Sequence, residues 1–267
     1  MPLPPVCGPS RTHASGKRLD SIINAVNTEE YERMYRLEDS YWWFVGRHNL
    51  ILNFLSATYP ARSDLAILDI GCGTGAMSTL LARHGAVTSA DFSPLALSYC
   101  RRRGLRKLCA ADAMRLPFRD MSFDVVVALD ILEHLPDDAA ALREFARVLR
   151  PGGRVISTVP AYRSLWSGHD VALMHCRRYV ASEQRQRMAE AALRVERLSY
   201  AMTALFPIVW IVRRLSNLRR GDPHASLVPV PRAANRALTL LLSLENALIR
   251  RVSLPFGVTV FCMARRP

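Results

Sequence analysis

Two periods of apolar residues alternate along this chain. Short, nearly continuous apolar runs predict strands: AILDI at 66–70, AVTSAD at 86–91, LCAADA at 108–113, FDVVVALD at 123–130, RVISTVP at 154–160, LRVERLSY at 193–200 and GVTVFCMARR at 257–266. Between them the spacing turns helical: AMSTLLARHG, which Gly85 is expected to close, then 93–103, DAAALREFARVLRPGG with a Pro-Gly-Gly stop, and 182–192. Strands that are apolar on both faces and separated by helices predict a parallel, doubly wound α/β sheet.

Two segments lie outside that alternation. Residues 28–60 read as a pair of helices opening at a Thr28 cap, with the cluster Tyr41, Trp42, Trp43 and Phe44 at their junction, suited either to core packing or to a lid over a ligand. Residues 201–255 read as an inserted helical segment rich in leucine and arginine. Its stretch TALFPIVWIVRRL is too short to span a membrane, and Ala234, Leu238, Leu241, Leu244 and Leu248 fall in a helical stripe. The expected organisation is therefore a disordered leader over 1–27, a helical cap over 28–60, a nucleotide-binding core over 61–200, a helical insertion or lid over 201–255, and a last core strand over 256–267.

Composition adds three constraints. Half of the 267 residues are hydrophobic, enough for a sizeable core, and the N-terminus shows no apolar targeting segment, so a cytoplasmic protein is expected. The six cysteines lack metal-finger spacing, which fits reduced thiols. The net charge is +13, and residues 151–267 supply nearly all of it, with 18 basic against 6 acidic side chains. That asymmetry suits an anionic substrate, nucleic acid or an anionic membrane surface.

The candidate chemistry begins at Gly71-Cys72-Gly73-Thr74-Gly75, a glycine turn between a strand and a helix. There the backbone can approach a ligand closely and present free N–H groups. Asp91, twenty residues beyond Gly71 at the end of the next strand, can accept hydrogen bonds from both hydroxyls of a ribose.

The set LDIGCGTG, ADAMRLPF, FDVVVALDILEHLPD and LREFARVLRPGGRVISTVP resembles the motifs of class I S-adenosylmethionine-dependent methyltransferases over about residues 45–200. The resemblance implies a seven-stranded Rossmann-like sheet, mostly parallel with its last strand antiparallel, and S-adenosyl-L-methionine as cofactor. It places Asp69, Gly71, Gly73 and Gly75 around the amino-acid portion, Asp91 and Phe92 at the ribose, Asp112 and Ala113 at the adenine, and Leu129 beside the cofactor. Asp130, Glu133 and His134 resemble positions at which some quinone-biosynthetic O-methyltransferases hold magnesium, but the same stretch recurs in methyltransferases without metal, and no metal is expected. The segments EDSYWWFVGRHNLI and LFPIVWIVRRL, with the loop below, resemble a bacterial subgroup associated with glycan, lipid or natural-product pathways.

For the acceptor, SLWSGHDVALMHCRRY at 164–179 concentrates Trp166, His169, Asp170, His175, Arg178 and Tyr179 after the fifth strand. A hydroxyl acceptor needs a base, so His169, His134 and Asp170 are the expected catalytic residues, with His169 ahead of His134. Trp42, Trp43, Trp166, His175, Arg178 and Tyr179 are the expected substrate contacts. The plainer alternative makes His169 and Asp170 bonding partners within a well-knit loop. The function expected is methyl transfer to an oxygen of a small, lipid-linked or saccharide molecule. Carbon or nitrogen transfer, RNA methylation and a non-catalytic cofactor-binding scaffold are the alternatives. Nucleic acid is disfavoured because the basic half contains no recognisable RNA-binding module.

Overall fold

The computed structural model describes residues 29–218 and 230–267, excepting the side chains of 216–218. The proposed leader and the Thr28 cap lie outside the described residues. Seven strands form one sheet: β1 (Leu65–Ile70), β2 (Gly85–Asp91), β3 (Leu108–Ala110), β4 (Phe123–Leu129), β5 (Leu149–Pro160), β6 (Arg194–Ala201) and β7 (Thr259–Arg265). Their order is β3-β2-β1-β4-β5-β7-β6, and β7 runs antiparallel to both β5 and β6 while the other pairs are parallel.

The two-residue period of the strands divides their side chains between two cores. Leu68, Ile70, Val126 and Ala128 face one side, where α5 (Asp138–Val148) lays down Ala141, Leu142, Phe145 and Val148. Leu65, Ile67, Val125 and Val127 face the other, against Leu50, Ile51, Phe54 and Leu55 of α2 (Trp42–Thr58) and Met77 and Leu81 of α3 (Ala76–Leu81). Helical spacing within each set delivers one apolar stripe per helix. The remaining core helices are α4 (Pro94–Arg102) and α7 (Ala181–Glu190), with a short helix, α6 (Gly168–Ala172), in the loop after β5.

Two boundaries differ from expectation. Gly85 does not close α3, which ends at Leu81; it opens β2, where a Cβ would lie 2.0 Å from the Leu65 carbonyl oxygen. The Pro-Gly-Gly segment does stop α5, but it also lies inside β5, where the register with β4 shifts and Gly152 takes φ +80°. An irregular strand start accommodates what looks in sequence like a loop.

Residues 29–37 are helical (α1), and the insertion supplies α8 (Phe206–Leu218) and α9 (Arg232–Ile249). The main partner of α9 is α2, and two asparagines fix the contact. Asn235 accepts from the Trp42 N–H at 2.9 Å and donates to the Ser40 carbonyl at 2.8 Å, while Asn246 donates to the Gly46 carbonyl at 2.8 Å. Gly46 is needed there, because a Cβ would lie 2.3 Å from Leu242 Cδ1. Of the expected stripe, Leu238 packs inward, whereas Leu241, Leu244 and Leu248 are exposed.

Candidate active site

The glycine turn leaves β1 at Gly71 and enters α3 at Gly75. Gly71, Gly73 and Gly75 have φ values of +70°, +54° and +88°, in the region that favours glycine. A Cβ on Gly73 would lie 2.9 Å from Met34 Cε, because α1 crosses directly over the turn. Tyr31 of α1 stands beside Asp91 and Ser93; burial first, and then the Asp91 charge, push its phenol up to about 12.

Contacts to α4 hold α1 in place. Tyr99 donates to Glu32 at 2.8 Å, and Arg103 binds the carboxylate of Asp39 at 2.8 Å and the carbonyls of Thr74 and Tyr35 at 2.9 and 3.3 Å. Tyr31, Met34 and Tyr35 fall at i, i+3 and i+4, the one signal in sequence that they share a face of α1.

Asp91 ends β2 with both oxygens turned to backbone: Oδ2 accepts from Gly73 N–H at 2.9 Å and Oδ1 from Ser93 N–H at 2.8 Å. Each carboxylate oxygen retains a lone pair, so the residue can brace the turn and still accept from ribose hydroxyls. Burial raises its pKa, and donors from a bound ligand would ease that desolvation. Asp112 similarly accepts from Met114 N–H through Oδ1 at 2.8 Å and has a second oxygen to offer. Ala113, next to Asp112, and Leu129, at the end of β4, are buried, and Phe92 is 81 % exposed. Asp69 is buried and accepts from Ser78 Oγ at 2.6 Å; burial pushes its carboxyl up to about 6. These positions fit a nucleoside cofactor carrying an amino-acid tail.

Beyond the carboxyl ends of β4 and β5, two loops meet. The Cys176 N–H donates to the Glu133 carbonyl at 2.7 Å, which joins the turn after β4 to the 164–179 loop. The junction gathers imidazoles: His134 and His169 have ring centroids 4.7 and 6.5 Å from that of His175, both edge-on. His134 is itself exposed, yet the atoms crowded around it and then the neighbouring His175 lower it to about 4. Burial and the Arg213 charge lower His169 to about 4 as well. Both are thus neutral near pH 7, with a nitrogen lone pair to offer.

Asp170 is fully buried and serves as the hub of this loop. It accepts from Ser167 N–H at 2.9 Å, from Arg178 Nε at 2.7 Å, from Arg213 at 3.0 Å and from His175 Nδ1 at 2.9 Å. Burial alone would raise its carboxyl, but these donors outweigh burial and hold it below the usual carboxylate range. The carboxylate–imidazole pair is therefore Asp170–His175, where the sequence suggested His169–Asp170. Arg213, from α8, shows that the insertion reaches into the site.

Several expected contacts are committed elsewhere. Arg178 is buried and donates to Asp170 and, at 2.7 Å, to the Ala161 carbonyl, so its guanidinium does not present a free fork to a substrate anion. Tyr179 is 3 % exposed and donates to Asp138 at 2.8 Å, which makes it a core residue. Trp42 and Trp43 pack with Met202, Leu205, Leu242 and Val258, although the buried Trp42 Nε1 has no hydrogen-bond partner among the described residues. Trp166 is half-buried at the start of the loop. Asp130 has φ +49° and is bound by Arg47 and, at 3.0 Å, by Thr158 Oγ1. Glu133, by contrast, is buried with neither carboxylate oxygen paired among the described residues.

Comparison with known proteins bears on the fold and the family. Residues 68–157 match the family model described as "Methyltransferase domain". The chain is 40 % identical over 105 residues to the ubiquinone biosynthesis O-methyltransferase of Xanthomonas oryzae, covering 36 % of this chain and 44 % of that one. It is 34 % identical over 155 residues to the demethylmenaquinone methyltransferase of Tropheryma whipplei, covering 52 % and 62 %. The chain thus spans about half the length of the curated relatives it matches. A chain of the "Complex between the Haloferax volcanii Trm112 methyltransferase activator and the putative methyltransferase" superposes with a TM-score of 0.57 at 22 % identity, over 90 % of this chain and 94 % of that one. The fold is that of the class I methyltransferases.

Proposed function

On the premise of a class I methyltransferase domain, we propose that the protein transfers a methyl group from S-adenosylmethionine to an oxygen of a small or lipid-linked acceptor. The observation that carries this reading is the gathering of His134, His169 and His175 at the carboxyl ends of β4 and β5, the same sheet edge that carries the glycine turn and Asp91. Bound there, the cofactor would supply an activated methyl on sulfur. Gly71, Gly73, Gly75 and Asp69 would surround its amino-acid tail, Asp91 its ribose, and Asp112 with Ala113 its adenine.

The chain's own work is alignment, exclusion of water and proton removal. In this reading α1, held by Arg103, covers the cofactor, and the neutral His169 imidazole takes the acceptor's hydroxyl proton. Asp170 acts as a positioning residue, through His175 and the loop backbone, rather than as a base. The indole N–H of Trp42, without a partner among the described residues, is a donor for a polar group of the acceptor.

The outer face of the insertion supports a lipid-linked acceptor. Ile208, Ile211, Val212 and Leu215 of α8 and Leu240, Leu244 and Leu248 of α9 are exposed, with Arg214, Arg250 and Arg251 exposed beside them. None of the helices among the described residues is long and apolar enough to cross a membrane. Such a face suits resting on an anionic bilayer.

The test is transfer of labelled methyl from S-adenosylmethionine to a panel of phenolic quinone precursors, glycans and hydroxylated polyketides. Label appearing on an acceptor oxygen, and falling at least tenfold in His169→Ala, is the expected result. Label on carbon or nitrogen alone, or full activity of the variant, would refute the oxygen and base assignments.

A further inference from the structure

The insertion meets the N-terminal part of α2 along an apolar seam at the carboxyl end of β5. Trp42 and Trp43 of α2, Phe206 of α8 and Leu242 of α9 pack there with Met202 and Leu205. The seam adjoins the acceptor loop. Val258, in the same cluster, accepts at its carbonyl from Ala161 N–H at 2.9 Å where β5 ends, and α8 carries Arg213 to Asp170.

A carboxylate lies in this apolar setting. Glu245, one turn past Leu242 on α9, is 8 % exposed. Its Oε2 accepts from Ala204 N–H at 3.0 Å, between Met202 and Leu205, while its buried Oε1 has no hydrogen-bond partner among the described residues. A backbone N–H brings no countercharge, and a buried carboxylate satisfied on one oxygen only is costly. Packing alone favours an apolar residue at position 245. A ligand that brings a cation removes the cost.

The walls of the seam suit the same ligand. Trp42 and Trp43 are half-buried and meet edge to face, with ring centroids 5.6 Å apart and planes at 78°, so they form a corner of two π-surfaces. Indole faces attract ammonium groups, and more strongly where water is excluded.

We propose that Glu245 and the Trp42–Trp43 corner bind an ammonium group borne on an apolar or ring-containing part of the acceptor. An ammonium nitrogen has no lone pair with which to attack a methyl group. It is therefore a recognition handle, and the oxygen that receives the methyl lies elsewhere on the molecule. The acceptor is thereby an amine-bearing alcohol or phenol. Its identity as the acceptor rests on the methyl-transfer reading; binding of an ammonium group at Glu245 does not.

The experiment titrates the full chain calorimetrically with 2-phenylethylammonium and, as a neutral counterpart, 2-phenylethanol. The net charge of +13 disfavours non-specific uptake of cations, so a saturable site stands out. Expected is one ammonium per chain, bound at least tenfold more tightly than the alcohol, as one charge-assisted hydrogen bond provides. Glu245→Gln should bring the two probes within threefold of each other, whereas Glu190→Gln, at an exposed carboxylate on α7, should keep the preference. Equal affinity for the two probes in the wild type, no saturable ammonium binding, or a preference retained in Glu245→Gln would overturn the proposal. The comparison of probes on the wild type needs no variant and decides the matter if Glu245→Gln fails to fold. Ammonium binding without S-adenosylhomocysteine binding would instead sink the functional reading and leave the ammonium site standing.

Discussion

His175 Nδ1 lies 2.9 Å from Asp170 Oδ1 within the 164–179 loop, and the same carboxylate receives Arg178 and, at 3.0 Å from α8, Arg213, which ties the loop to the insertion. The loop is thus held in shape by one buried anion satisfied from three directions. A site assembled this way loses its geometry if the anion is removed.

Asp170→Ala would strand Arg178, whose side chain is 1 % exposed, as an unpaired buried cation. Breaking a buried ion pair from one side costs about 3–5 kcal/mol. Chemical denaturation should show a loss of that size with little change in the slope of the transition. A loss under 1 kcal/mol would mean that the loop rearranges freely.

Asp91→Ala removes the acceptor for Gly73 and Ser93 as well as the proposed ribose contact. Charge-assisted bonds of this kind are each worth about 1.5–3 kcal/mol. Affinity for S-adenosylhomocysteine should fall at least tenfold; unchanged affinity would remove Asp91 from the cofactor site.

Glu38, near Arg103 in the clamp between α1 and α4, has its carboxyl pushed up to about 7, burial outweighing the Arg103 charge. A raised carboxyl favours the folded state below its unfolded pKa of about 4.3, and the benefit is lost as pH rises through about 7. Glu38→Gln cannot ionise. Its melting temperature should therefore gain on the wild type's between pH 5 and pH 8.5, and parallel melting curves for the two proteins would contradict the assignment.

His169, lowered to about 4, stays unprotonated through the neutral range. As a base it should give a rate that is flat from pH 8 to about 5.5 and declines only near pH 4. An acid limb centred near 6.5 would point to an unperturbed imidazole instead.

The exposed apolar residues of α8 and α9 predict flotation with vesicles containing anionic lipid, and loss of that flotation in an Ile211→Asp, Leu244→Asp double variant. Equal flotation of variant and wild type would leave the insertion as a cover for the site.

Much of the core was legible because its code is local. The strand AILDI, the glycine turn and Asp91 are read from spacing alone, and the structure places them as that spacing implies. The acceptor side was harder, because its contacts are non-local. Nothing between His169 and Asp170 in sequence reveals that the carboxylate turns toward His175 and toward Arg213, forty-three residues on. Arg178 and Tyr179 looked like ligand contacts by residue type, yet burial uses them to hold the loop and the core. The division of the Leu238–Leu248 stripe was likewise invisible, since it depends on Gly46 and the two asparagines that dock α9 on α2.

The central claim, a methyltransferase cofactor site built on the glycine turn and Asp91, is tested most directly by calorimetric titration of the purified protein. S-adenosylmethionine and S-adenosylhomocysteine should each bind at one site per chain with micromolar affinity, while NAD gives no heat. Binding of NAD in preference to both, or no binding of either sulfur nucleoside, would contradict it.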